Sequence, residues 1–337
     1  MRTSVRVGIG LLSALLAVGF VIWFVGVDEF LNAIQNADLG YSLIAGLFAV
    51  LWLVMWSGSF YVVANSLDID ISMFKSFRTY ATVMFANNVT PFAHLGGEPV
   101  AAGFISKVVG NDYEKCLGAL SSVSVVHFVP SLLFFTGGFG YMFLTGNSVP
   151  DSLDRLLIAF IILTVGIVTA GIIVYKFREK TKSSISRLIF ILVSIVGKIP
   201  KLPQYTKEDV DKIVNGYISS FAEVGSNKRV VALAVTLSTA GVFCQAFGLW
   251  FALQAVGVDI RLVIPIIAFP IAGLASALPL PGGAGGIEAV LISIIVAFTS
   301  AAVPSVTAGV IIIRTVIFWF PITVGSINLG VALTLNR

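Results

Sequence analysis

The chain has 337 residues, 57% hydrophobic and only 11% charged, with a formal net charge of +4. A mean hydropathy of +0.99 marks an integral membrane protein and leaves too little polar chain for a soluble catalytic domain. The basic residues gather in particular loops rather than along one face, which argues for membrane orientation and against nucleic acid as a partner.

Arg2 and Arg6 precede an apolar run to Val27, too long for the core of a cleaved signal, so an uncleaved first span is predicted over 5–27. Asp28, Glu29 and Asp38 follow without a Lys or Arg, which places that loop outside. A second span covers 41–65, and Lys75 and Arg78 put the next loop on the cytoplasmic side. The apolar run from Phe77 to Val89 breaks at Thr90-Pro91 and resumes from Glu98 to Ser106. The stretch from Glu98 to Lys107 is roughly half of a full crossing. The segment 74–108 therefore reads as a re-entrant hairpin that enters and leaves on the cytoplasmic side.

A third span covers 116–144 and carries Pro130; Asp151 and Asp154 mark an outside loop, and a fourth span covers 156–175. From Lys176 to Arg229 eleven Lys and Arg face five acids, a cytoplasmic signature. Within it 185–196 is too short to span and is expected to lie flat in the interface, where the flanking basic residues meet anionic headgroups. A fifth span covers 230–256, a second hairpin 262–303 opens from the outside, and a sixth span covers 306–335 and carries Pro321.

The second hairpin turns at Leu278-Pro-Leu-Pro-Gly-Gly-Ala-Gly-Gly-Ile-Glu288. Its glycines and prolines cannot continue a helix, and a broken backbone at membrane depth survives only inside protein or beside a wet cavity. Pro91 to Glu98 and Pro281 to Glu288 share Pro-x4-Gly-x-Glu, offset by 190 residues. Gly118 precedes Pro130 by twelve residues and Gly309 precedes Pro321 by twelve, so the likeness extends downstream. The expected fold is all-α: a polytopic membrane protein with about six full spans, two re-entrant helical hairpins and an inverted-topology repeat. Its halves are 1–150 and 151–337, with both termini cytoplasmic in a plasma-membrane location.

The candidate site lies where the broken helices meet. Glu98 and Glu288 each open the helix after a break, either as caps that satisfy free N–H groups or as carboxylates that handle substrate or protons. A pure cap predicts that Glu288→Gln costs about 1 kcal/mol. Gly96, Gly97, Gly285 and Gly286 either permit tight turns or expose N–H groups as an anion nest. Arg314, about two turns into the last span, is a partner for Glu288, a headgroup ligand or a snorkelling residue. Asn87, Asn88, Thr90 and His94 are polar at hairpin depth and would line a cavity there, while His127 beside Pro130 is more simply a structural residue. Cys116 and Cys244 read as packing residues, and no metal, cofactor or enzymatic chemistry is expected.

At Leu280-Pro-Gly-Gly-Ala-Gly-Gly-Ile-Glu288, Asn87-Asn-Val-Thr-Pro91, Gly96-Gly-Glu-Pro99 and Arg314 with Trp319-Phe-Pro321, the chain resembles the flippase-like family built on the transmembrane region of lysylphosphatidylglycerol synthase. The resemblance implies translocation of a phospholipid or lipid-linked headgroup between leaflets, with membrane lipids as partners and without the synthase's soluble aminoacyl-transfer domain. Arginines that the resemblance implies at His94 and near Ala101 are not present here. An ion- or proton-coupled carrier of a small anionic solute would use the same hairpins, and a non-transporting partner of a lipid or glycan enzyme is a third reading.

Overall fold

The computed structural model describes residues 3–90, 94–144, 206–278 and 280–335, with helical positions 158, 161–162, 165–166 and 169 between them. Most of the predicted fourth span, the flat segment 185–196 and the basic stretch up to 205 fall outside the described residues.

Among the described residues all regular structure is helical. The first span is α1 (Thr3–Val25), and at Gly26, φ 109°, the chain bends by 98° into α2 (Val27–Gln35). The stretch expected as an outer loop, 28–40, thus contains a helix. Phe30 is buried, while Asp28 and Glu29 sit exposed in the first turn, where they complement the helix dipole.

Asp38 caps α3 (Leu39–Ser66), its carboxylate accepting from the Tyr41 N–H at 2.8 Å. Ser72 caps α4 (Met73–Val89), with Lys75 N–H donating to its Oγ at 3.3 Å. The first half is completed by α5 (His94–Val109) and α6 (Tyr113–Leu144), which contains Pro130. The second half brings α7 (Lys207–Ser226) and α8 (Lys228–Ala255), the latter capped by Asn227. Then come α9 (Val263–Gly273), prolonged by a 3-10 turn over Leu274–Ala277, and a second 3-10 turn at Pro281–Gly283. The chain ends with α10 (Gly286–Thr299) and α11 (Val303–Leu335), which contains Pro321.

The end of the basic segment is ordered. α7 is a helix packed along α6, with Ser220 against Gly118 and Lys212 Nζ 3.7 Å from Glu114.

Five described helices are long and apolar enough to cross a bilayer, or six if the bent pair α1–α2 is one span. Pro281–Thr299 reaches that length only by including the glycine break; α10 itself has 14 residues, about 21 Å against a hydrocarbon core of about 30 Å. The arms α4, α5 and α9 are also short, with 17, 16 and 11 residues.

α3 and α8 form the central pair. Phe48 stacks on Phe247 and Phe251, with centroids 5.4 and 5.6 Å away, and Gly248 lets α8 approach the Ala45 carbonyl. Close approach through small residues matters because, in lipid, dispersion contacts replace the hydrophobic effect between helices. Around this pair α4 packs on α5 and α11, while α9 packs on α10 and α6. α5 lies against α6, α10 against α11, α2 against α11 and α7 against α6. At one end of α3 the Asp38 N–H donates to Ala255 O at 2.7 Å; at the other, Asn111 Nδ2 donates to Asp68 O at 3.1 Å. Turns that the predicted order of spans puts on the same membrane side are therefore tied together.

Candidate functional site

The two breaks are in contact. Asn88, at the end of α4, donates from Nδ2 to Phe318 O of α11 at 3.2 Å. A Cβ on Gly282, in the second break, would lie 2.9 Å from Asn88 Oδ1 and 2.7 Å from the Phe318 ring, and the residue has φ +57°. Glycine is thus demanded there by both space and backbone. α1 lies across the junction, with Gly10 against Val89 at the first break and Ala17 against Gly285 at the second.

Glu288 is buried in the first turn of α10 and does two jobs. Its Oε2 accepts the Gly285 N–H at 2.7 Å, and its Oε1 accepts Arg314 Nε, also at 2.7 Å. The side chains of Glu288 and Arg314 are only 3% and 8% exposed. Capping and charge pairing therefore coexist, and Arg314 is the glutamate's structural partner. The pairing is one-pronged: Arg314 Nη2 is buried and has no hydrogen-bond partner among the described residues.

Beside the pair lies a cavity of about 50 Å³, room for a few waters or one small polar group. Ala14, Leu15 and Val18 of α1 line it with Glu288, Arg314 and Thr315. Leu15 and Thr315 are exposed on the outer surface of the bundle, so the cavity's rim lies on the apolar flank rather than at a helix end.

The first half answers its carboxylate differently. α5 begins at His94, so Glu98 lies beyond the first turn instead of opening the helix as the sequence pattern suggested. It is buried, and its carboxylate accepts from Ser124 Oγ and, at 3.5 Å, from Ser121 Oγ of α6. These serines were not among the sequence candidates. The repeat offset would have found one of them, since 288 − 98 and 314 − 124 are both 190. Where one half offers a guanidinium, the other offers hydroxyls.

The remaining candidates divide. Asn87 is buried against Gly97, whose hypothetical Cβ would lie 2.6 Å from Asn87 Cα, so both serve the close contact between α4 and α5. Thr90 Oγ1 donates to Ala86 O at 2.7 Å, a local bond that closes the end of α4. Gly285, at φ +82°, and Gly286 form the start of α10 beside the cavity. Gly96 and His94 fall in the first turn of α5, and the His94 side chain lies outside what is described. His127 lies on α6 one turn beyond Ser124: its ring stacks on Trp56 at 3.9 Å, and its Nδ1 is 3.3 Å from the Tyr80 hydroxyl. Among the described residues no group of His, Cys, Asp and Glu is placed to hold a metal ion.

A bundle of long apolar helices around broken segments and a buried ion pair defines a multi-pass integral membrane protein. The chain belongs to the family described as the lysylphosphatidylglycerol synthase TM region, whose model matches residues 7–325. It is similar to a UPF0104 membrane protein of Methanothermobacter thermautotrophicus, 22% identical over 307 residues that cover 90% of this chain and 88% of the relative. A UPF0104 membrane protein of Pyrococcus horikoshii is 24% identical over 91% of both chains, and one of Methanocaldococcus jannaschii is 25% identical over 91% of this chain and 89% of its own.

Proposed function

We propose that this protein is a lipid translocase that passes a headgroup between leaflets along the junction of its two broken segments. The observation that carries the reading is the lateral cavity. A polar, charged floor of Glu288 and Arg314 opens beside Leu15 and Thr315 on the apolar flank, which suits a molecule whose headgroup enters while its chains stay in lipid. Arg314 lies about 17 Å along α11 from Val303, comparable to half the bilayer's hydrocarbon thickness.

The packing supports an inverted repeat as the scaffold. Exchanging α2, α3, α4, α5 and α6 with α7, α8, α9, α10 and α11 turns each contact among them described above into another contact of the same set. In this reading α4–α5 and α9–α10 are hairpins from opposite faces, and Asn88 on Gly282 is their point of meeting. The charge pattern supports an orientation with both termini in the cytoplasm, and the reading takes the plasma membrane as the location.

The test is headgroup accessibility in liposomes containing purified protein, across several lipid classes. Protein-dependent translocation is expected, reduced at least several-fold by Glu98→Gln and by Arg314→Ala at matched reconstitution. Uptake of a water-soluble anion with no lipid movement would replace this reading with the solute carrier.

A further inference from the structure

The two halves of the chain hold their buried glutamates by different chemistry, and the difference concerns protons. Glu288 is tied to Arg314, whose guanidinium keeps its charge and has donors but no acceptor. At the same offset of 190 residues, Glu98 has Ser124 where Glu288 has Arg314. Its carboxylate accepts from Ser124 Oγ and, at 3.5 Å, from Ser121 Oγ. A hydroxyl donates to an ionised carboxylate and, by turning its hydrogen, accepts from a protonated one. The serines therefore hold Glu98 in either protonation state, which a guanidinium cannot do.

The groups around Glu98 share this property. α5 packs on α4 and α6. From α4 it meets buried Tyr80, which lies close enough to feel the Glu98 charge and whose hydroxyl is 3.3 Å from His127 Nδ1. His127 is on α6 one turn beyond Ser124, and its ring stacks on Trp56 of α3. A phenol hydroxyl either donates or accepts, and an indole face receives imidazole or imidazolium. On α5 itself His94 stands one turn before Glu98, and Lys107 is exposed in the last turn. The other charges on these helices are turned elsewhere: the Arg78 guanidinium sits 5.8 Å over the Phe74 ring, and Glu114, at the start of α6, is 3.7 Å from Lys212 of α7. Of the two further helices on α6, α9 carries no titratable residue, and α8 carries Cys244 and, in its first turn, Lys228 and Arg229.

We propose that Glu98 is a proton-binding site through which the first half couples translocation to a proton gradient. In each cycle its carboxylate takes up one proton from water on one side of the membrane and releases it to water on the other, while Glu288 and Arg314 remain a fixed pair. A buried carboxylate depends on its donors, and a neutral acid depends on them far less. A proton on Glu98 therefore relaxes the demand that α5 stay on Ser121 and Ser124 of α6, and its release restores that demand. The proton thus favours one arrangement of the α4–α5 segment over another, which is what coupling requires. The proposal goes beyond the translocase reading and rests on it for what the proton drives.

The test has two arms, both with the full chain. In detergent, infrared difference spectra between alkaline and acid pH should show the carbonyl band of a buried carboxylic acid. Glu98→Gln should remove that band. Glu98→Asp, which keeps an acid on a shorter stem, should shift it instead, and identifies the band if Glu98→Gln does not fold. In liposomes, a fluorescent short-chain phosphatidylglycerol is followed between leaflets with the membrane potential clamped and a pH gradient imposed. Its distribution should move at least twofold away from that without a gradient, in opposite senses for opposite gradients, and a proton ionophore should abolish the shift. Protein-free liposomes supply the control for lipid that redistributes by itself. The residual translocation of Glu98→Gln should not respond to the gradient, and Glu98→Asp should recover part of the response. Lipid that equilibrates alike with and without the gradient, or a carbonyl band untouched by both substitutions, overturns the coupling and leaves the translocase reading standing. Gradient-driven uptake of a water-soluble anion without lipid movement keeps the proton site and ends the translocase reading. Movement of neither ends both.

Discussion

Glu288 is the residue on which the second break depends, because one carboxylate both closes the start of α10 and neutralises Arg314. Glutamine could still accept the Gly285 N–H, but it would leave a buried guanidinium without a counter-charge. The cost of Glu288→Gln is therefore expected at about 3–5 kcal/mol, the range for breaking a buried pair, rather than the ~1 kcal/mol of a lost cap. Equilibrium unfolding in detergent checks this, and Glu288→Gln combined with Arg314→Gln should recover part of the loss. A cost near that of a cap would mean the pair contributes little. Gly97 offers a second test of the same kind. A Cβ there would press on the Asn87 backbone, 2.6 Å from Cα and 2.7 Å from N, whereas one on Gly103 would meet Tyr113 at an ordinary 3.9 Å. Gly97→Ala should destabilise by about 1–3 kcal/mol through overpacking, and Gly103→Ala should be close to neutral. Equal effects would mean α4 and α5 can part at no cost.

At the scale of elements, hydrogen bonds tie together turns that the predicted order of spans puts on one side of the membrane. Asn36, in the turn tied to Ala255 through Asp38, and Asn227, before α8, are exposed near opposite ends of the bundle. With Cys116 and Cys244 removed, cysteines introduced at Asn36 and Asn227 should label from opposite sides of the membrane, and one at Asp259 from the same side as Asn36. Labelling of Asn36→Cys and Asn227→Cys from one side would undo the topology. Much of this order was legible in the sequence because apolar length and turn chemistry are local properties: α3, α8 and both long terminal helices of the halves fall within a few residues of the predicted spans. The hidden parts depend on partners far along the chain. α2 is too short and too acidic to stand out, and is seated by Phe30 and by its contact with α11. Ser121 and Ser124 are ordinary span serines until Glu98 is folded onto them. The Glu288–Arg314 pair was legible as one of several options, since 26 residues of separation say nothing of distance until α10 turns back onto α11.

For the whole molecule, α1 is the element whose position decides whether the cavity is open. It touches the first break through Gly10 and the second through Ala17, yet its far face is bare: Leu12, Leu16, Phe20 and Phe24 are each more than half exposed, as a lipid-facing helix should be. Its grip on the bundle is made of the small residues Gly10, Ala14 and Ala17 together with Leu11 and Val21, and at Gly26 it bends into α2, which is held by α11. Few large side chains would have to be repacked for α1 to move aside at the rim. A headgroup entering between α1 and α11 must pass Leu15 and Thr315. Joining those two positions should therefore close the path without touching Glu288 or Arg314. In the Leu15→Cys/Thr315→Cys variant, a short reducible cross-linker should lower lipid translocation several-fold in liposomes, and reduction should restore it. The single substitutions with the same reagent supply the controls for bulk at the rim. Full translocation in the cross-linked protein would show that lipid takes another route, and that the opening beside α1 is a packing defect rather than an entrance.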